Sequence, residues 1–209
     1  MTRYSRTPSP PPDLRERRRR ELVRTIAVAA VDLFEKNGFA ATTIDDIAAA
    51  AGVSRTTFFR HCATKEAAVL VDDAGLEQEL IDIAAEVSTT HPLRDLEAAW
   101  EEMADHFDAD PEGRDRFLRV RRLMKDNPPL HAAALERDAQ LTAQIALTLS
   151  ARSDFSTLDA HAVAESFSLG MRVTFDEWVR RADAKVVPLR EIYAEVRTAL
   201  ARAWKKSGR

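Results

Sequence analysis

The sequence predicts an all-α protein, and three observations carry that prediction. Strong helix formers, chiefly Ala, Leu, Glu and Arg, dominate the chain beyond its first dozen residues. Apolar residues recur three and four apart, with no strand-like alternation. Pro92, Pro111, Pro128 and Pro188 punctuate these stretches near helix starts, where a missing N–H costs little.

Each element has its own local reason. Residues 1–13, crowded with Pro8, Pro10, Pro11 and Pro12, form a Pro/Arg-rich tail too poor in apolar surface to order itself. A first helix begins near Asp13 to Glu16 and carries Leu22, Ile26, Ala30, Leu33 and Phe34 on one face. Asn37-Gly38 stops it, and Phe39 folds back onto its end. Thr43 with Asp46 three residues later is an acidic capping box for a short second helix striped by Ile44, Ile47, Ala48 and Ala51. Gly52 ends that helix. Ser54 caps a third over Arg55–His61, and Thr64 caps a fourth running from Lys65 into the 80s. Five longer helices follow at roughly 92–108, 111–126, 128–150, 157–183 and 188–206. Asp110-Pro111 and Asn127-Pro128 are cap-then-proline starts, Ser156 with Asp159 is a further cap, and 183–187 is a short connection.

Composition narrows the class of protein. With 209 residues, 45% hydrophobic and 31% charged, the chain is long enough for one or two domains with a real core. No apolar run approaches the roughly 18 residues of a membrane span, and the Arg/Pro-rich start lacks the apolar region of a secretory signal. A cytoplasmic location is the expectation. Cys62, the single cysteine, excludes an internal disulfide and argues against a zinc finger. The chain carries no Gly-rich phosphate loop, Gly-x-Ser-x-Gly or His-Glu-x-x-His. His161 with Glu165 and His106 with Asp110 are ordinary helix-surface pairs at a four-residue step. No catalytic residue, metal or cofactor is therefore expected.

The net charge of −3 hides an asymmetry. Residues 1–65 hold 12 Lys/Arg against 7 Asp/Glu, a net +5, whereas 66–209 hold 19 against 27, a net −8. A basic head on an acidic body points to an anionic partner for the head alone. The run Arg15 to Arg20 dominates the excess, and it reads equally as a minor-groove arm or as a solvated charge run.

Residues 43–61 place two short helices around the turn Ala51-Gly52-Val53, a helix-turn-helix. In such a unit the first helix braces the second, whose outer face enters the major groove of DNA. Ile47, Ala48, Val53 and Phe58 supply the brace, which leaves Arg55, Thr56, Thr57, Phe59 and Arg60 outward with donors, hydroxyls and a ring suited to bases and phosphates.

The stretch LFEKNGFAATTIDDIAAAAGVSRTTFFRHCATKEAAVL, within residues 20–70, resembles the DNA-binding domain of TetR-type (TetR/AcrR) transcriptional regulators. Phe34, Gly38, Thr42, Thr43, Ile47, Ala48, Gly52, Val53, Ser54, Thr57, Phe58, Phe59 and Lys65 agree together. The resemblance implies a helix-turn-helix DNA-binding domain over 14–65 and a helical ligand-binding and dimerisation domain over 66–209. It implies a homodimer on a palindromic double-stranded operator, released by a small-molecule effector. It also implies DNA contacts from Thr43, Ser54, Arg55, Thr56, Thr57, Phe59, Arg60, His61 and Lys65, with Thr43, His61 and Lys65 on phosphates. The family usually carries Tyr-Phe where this chain has His61-Cys62, which makes the packing there smaller. Near Lys65 and a helix start, Cys62 reads as a small buried hydrophobe, with redox sensing as the alternative.

In the body, Trp100, Met103, Phe107, Phe117, Arg121, Met124 and Phe167 are the expected pocket residues, with His106 as a further polar anchor. The resemblance makes the last two helices the dimer surface, for which Phe175, Trp178, Ile192, Val196, Leu200 and Trp204 are the candidates and the small residues of 160–170 permit close approach. The stretch Leu123 to Leu130 is similar to regulators of the mycofactocin type, some of which respond to acyl-coenzyme A thioesters; this implies a lipophilic or acyl-CoA-like effector. Two other readings stand beside it: a ligand-independent DNA-binding regulator with a filled body, and an enzyme built on the helical body.

Overall fold

The structure is a computed structural model in which residues 14–71, 75–182 and 187–207 are described. The tail expected over 1–13, and all but Val187 of the connection at 183–187, lie outside the described residues. Ten helices make up the described chain: α1 Leu14–Asn37, α2 Ile44–Ala50, α3 Arg55–His61, α4 Lys65–Val69, α5 Leu76–Glu86, α6 Pro92–Asp108, α7 Pro111–Asp126, α8 Pro128–Ser150, α9 Thr157–Arg181 and α10 Leu189–Ser207. None is long and apolar enough to cross a membrane.

The starts follow the local chemistry. Thr43 accepts from the Asp46 N–H while the Asp46 carboxylate accepts from the Thr43 N–H, a complete capping box. Ser54, Thr64, Asp110 and Ser156 each accept a backbone N–H three residues on. Pro92, Pro111 and Pro128 occupy first-turn positions of their helices. Asn127 stands at the N-cap of α8 but makes no side-chain cap there. Its Nδ2 instead donates to the Leu123 carbonyl at 2.7 Å and ties off the end of α7.

The single helix expected from Lys65 into the 80s is two helices. Gly75, at the N-cap of α5, has φ +79°, the left-handed region that a continuous helix of L-residues avoids. The Arg15 to Arg20 run is helical, in the first turns of α1, rather than an extended arm. Arg19 and Arg20 both donate to Glu16, whose carboxyl they hold down at about 2.

Two apolar clusters organise the helices. One joins Ile26, Ala30 and Phe34 of α1 to Ile47, Phe58, Cys62 and Ala68, and also takes in Val120 and Met124 of α7 and Leu130 and Ala134 of α8. The other gathers α5, α6, α8, α9 and α10 around Leu96, Trp100, Ile145, Phe167, Trp178 and Tyr193.

Candidate functional site

The basic end of the molecule presents α3. Ile47 and Ala48 of α2 and Phe58 of α3 are buried against α1, so the remaining face of α3 turns outward. The turn holds because Gly52 sits at φ +68° while Gly52 and Val53 donate to the Ala49 and Ala48 carbonyls. Arg55, Thr56, Phe59 and Arg60 are exposed, and Thr57 and His61 are half-buried beside them.

The candidates on this face differ in what they already hold. Arg55 donates to Asp45 at 2.6 Å and lies 5.3 Å from the Phe59 ring centre, a surface arrangement that an incoming anion can displace at little cost. The Ser54 and Thr57 hydroxyls lie 2.9 Å apart. Thr43 and Ser54 are engaged as caps, with lone pairs and hydroxyl protons arranged around the helix starts. Burial, helped by Arg60 and Arg19, holds the His61 imidazole below its usual range. Lys65 is turned inward. Its Nζ donates to the carbonyls of Phe39 and Thr42 and sits 4.2 Å from the Phe39 ring centre, so most of its donor capacity is spent inside the head. Cys62 is 2% exposed and burial raises its thiol pKa, the reverse of what a redox-sensing thiolate requires.

The body encloses a cavity of about 350 Å³ between α5, α6, α7, α8 and α9. Trp100, Met103, Phe107, Phe117, Arg121 and Met124 line it, as does His106. Phe167 does not; it is 1% exposed in the core behind. Phe175, a candidate for the dimer surface, faces the cavity instead. Sequence reasoning missed Arg137, Asp138 and Arg172, which also line the wall. They look like ordinary exposed charges in a helical sequence, and only the packing of α8 on α9 turns them toward a common space.

The expected dimer surface needs correcting in the same way. Trp178, Ile192 and Val196 are 4%, 0% and 5% exposed, packed into the protomer's own core, and Leu200 is partly buried against it. The small residues of 160–170 serve the same interior: Ala160, Ala164 and Gly170 are buried, and Gly170 faces the Tyr193 ring. Of the six candidates only Trp204, 67% exposed, lies on the surface, which also carries Leu158 and Val173 of α9.

One helix touches both regions. Phe117, Val120, Arg121 and Met124 of α7 line the cavity, while Val120 and Met124 belong to the head's apolar cluster. Between them Arg119 donates to both carboxylate oxygens of Glu35 at 3.0 Å and also to Asp32, two acids of α1. Arg24 of α1 reaches Asp110 and Glu112 at the start of α7.

Residues of the α1–α4 region match a known family. The family described as "Bacterial regulatory proteins, tetR family" matches residues 26–70. The HTH-type transcriptional regulator TcmR of Streptomyces glaucescens is 28% identical over 94% of this chain and 92% of its own length. MftR of Mycobacterium tuberculosis, described as a mycofactocin biosynthesis transcriptional regulator, is 29% identical over 78% of this chain and 83% of its own. The crystal structure of NalD, the secondary repressor of the MexAB-OprM multidrug efflux pump in Pseudomonas aeruginosa, superposes with a TM-score of 0.52 at 18% identity. That superposition covers 84% of this chain and 94% of NalD, and shares the fold.

Proposed function

The chain belongs to the TetR family of transcriptional regulators, a family of DNA-binding proteins and not of enzymes, and from that we propose a cytoplasmic homodimeric repressor that a small molecule releases from a palindromic operator. Residues 14–65 form the DNA-binding head and 66–209 the effector-binding and dimerising body. The α3 helix enters the major groove, with Arg55, Thr56, Thr57, Phe59 and Arg60 toward bases and phosphates, and Thr43, Ser54 and His61 toward the backbone. Lys65 acts from inside the head, holding the loop at Phe39–Thr42 to the start of α4.

The observation that carries effector control is the double use of α7. A ligand in the cavity presses on Phe117 and Arg121, and the same helix is fastened to α1 through Arg119, Arg24 and a shared apolar cluster. The cavity also favours this reading over a ligand-independent regulator with a filled body. The protomers meet through the outer faces of α9 and α10, where Leu158, Val173 and Trp204 leave apolar surface exposed.

Selection of bound DNA from a random pool tests the operator reading: a palindrome whose half-sites lie about one helical turn apart is expected, and enrichment of single half-sites alone would overturn the dimeric mode. Arg60→Ala should weaken specific binding by roughly 1–3 kcal/mol if Arg60 reads a base; equal losses on operator and random DNA would make it a phosphate contact. Leu158→Asp with Trp204→Asp should sediment as a monomer at concentrations where the wild type is a dimer.

A further inference from the structure

We propose that the body cavity takes a compact aromatic anion, a planar ring system bearing a carboxylate or comparable acidic group. The inference rests on the reading of the body as an effector site and names the chemistry of the effector.

The ring component comes from the walls. Trp100 and Phe175 meet edge to face at 5.5 Å between ring centres, as do Phe107 and Phe117, and Phe117 and Phe175 lie 4.7 Å apart at a tilt. Rings presented at several angles offer a further ring the edge-to-face and offset contacts that aromatic pairs prefer, a gain beyond area burial that an alkyl chain does not receive.

The anion component comes from Arg121. Its guanidinium lies 5.7 and 5.6 Å from the Phe117 and Phe175 ring centres, and its side chain is 16% exposed. Among the described residues only its Nη2 has a protein acceptor, Asp176 at 3.0 Å, whose own side chain is 70% exposed. A guanidinium has five donors, and burial lowers the pKa of this one, the mark of a cation short of compensating charge. The acids in the wall do not fill that role equally. Glu77 accepts from Arg137, and Asp110 is engaged with the Gly113 N–H and Arg24. Asp138, an exposed residue at the wall, divides its charge among Arg121, Arg172 and Arg137.

Trp100 contributes its ring to the wall, while its Nε1 is sealed from the cavity. The volume sets the size: about 350 Å³ is near the low end of ligand pockets, so a ligand as large as an acyl-CoA thioester would leave most of itself outside.

Calorimetric titration of the full chain with 2-naphthoate, 2-naphthamide and decanoate separates ring from charge. The expected result is 2-naphthoate binding about tenfold or more tighter than either, since a charged hydrogen bond is at stake. Arg121→Gln should remove most of the preference for naphthoate over naphthamide, and Phe117→Leu, which keeps an apolar wall and deletes a ring, should weaken naphthoate several-fold. Far-ultraviolet circular dichroism checks that each variant folds; the wild-type ranking decides if one does not. Decanoate or naphthamide binding as tightly as naphthoate, none of the three binding, or an unchanged preference in a folded Arg121→Gln would overturn the proposal. Operator release is read in parallel. Naphthoate that binds without releasing operator upholds the ligand class and overturns the effector reading, whereas release by decanoate alone upholds the effector reading and overturns the class.

Discussion

His61 shows how much a single side chain at the end of α3 can disclose if that face meets DNA as proposed. In the free protein its imidazole is held below its usual range by burial and by Arg60 and Arg19. A DNA phosphate beside it favours the charged form, so its pKa rises on binding and the complex takes up a proton. Operator affinity should then climb as pH falls from the pKa in the complex toward that of the free protein, and His61→Gln should flatten that climb in fluorescence titrations. Lys65 behaves differently from what its sequence position implies. Lys65→Met should lower the melting temperature yet leave the slope of operator affinity against salt unchanged, because its ammonium is held by the Phe39 and Thr42 carbonyls. A slope reduced by about one contact would return Lys65 to the phosphates. The inward turn was not legible in the sequence: its acceptors lie 26 and 23 residues away. Cys62 was legible, since a residue at the apolar step after Phe58 belongs inside. Peroxide should leave operator binding by the folded protein unchanged.

At the scale of the element, legibility follows the range of the cause. Caps and first-turn prolines act within four residues, so the starts of α2, α3, α4, α6, α7 and α9 could be read from Thr43, Ser54, Thr64, Pro92, Asp110-Pro111 and Ser156. The break at Gly75 went unread, because a lone glycine in a helical pattern is as often tolerated as obeyed. Gly75→Ala should cost about 1–2 kcal/mol in a melt, the penalty for an L-residue in left-handed backbone. A Cβ there would also meet the Arg20 Nη2 at 2.8 Å, a flexible group able to move. Ser54→Ala should cost about 1 kcal/mol through the lost cap of α3. The stripe Ile192, Val196, Leu200 on α10 was legible as apolar, but not as belonging to its own protomer. Periodicity states that a face is covered; Trp100, Phe167 and Trp178, from distant parts of the chain, decide by what.

For the whole molecule the decisive feature is the double use of α7, which no local pattern announces. Its face toward α1 is salted by Arg119, Asp32 and Glu35, and its face toward the body lines the cavity. Arg119 is 25% exposed, so the pairing is partly screened. Arg119→Ala should cost about 1 kcal/mol of stability, an effect that fades in high salt. If α7 transmits the effector, the same variant should also weaken release of operator by any ligand that binds the cavity. The charge division across residue 65 fits this anatomy. The basic half carries the outward face of α3, and the acidic half carries the cavity walls.

The apolar cluster of the head includes Val120, Met124, Leu130 and Ala134 from the far side of the chain's midpoint. The head is thus not a detachable cassette. Chimaeras that graft a different DNA-reading segment onto this body, or this one onto another, inherit a seam through that cluster. Those four positions would have to travel with the graft for the hybrid to keep a closed interior.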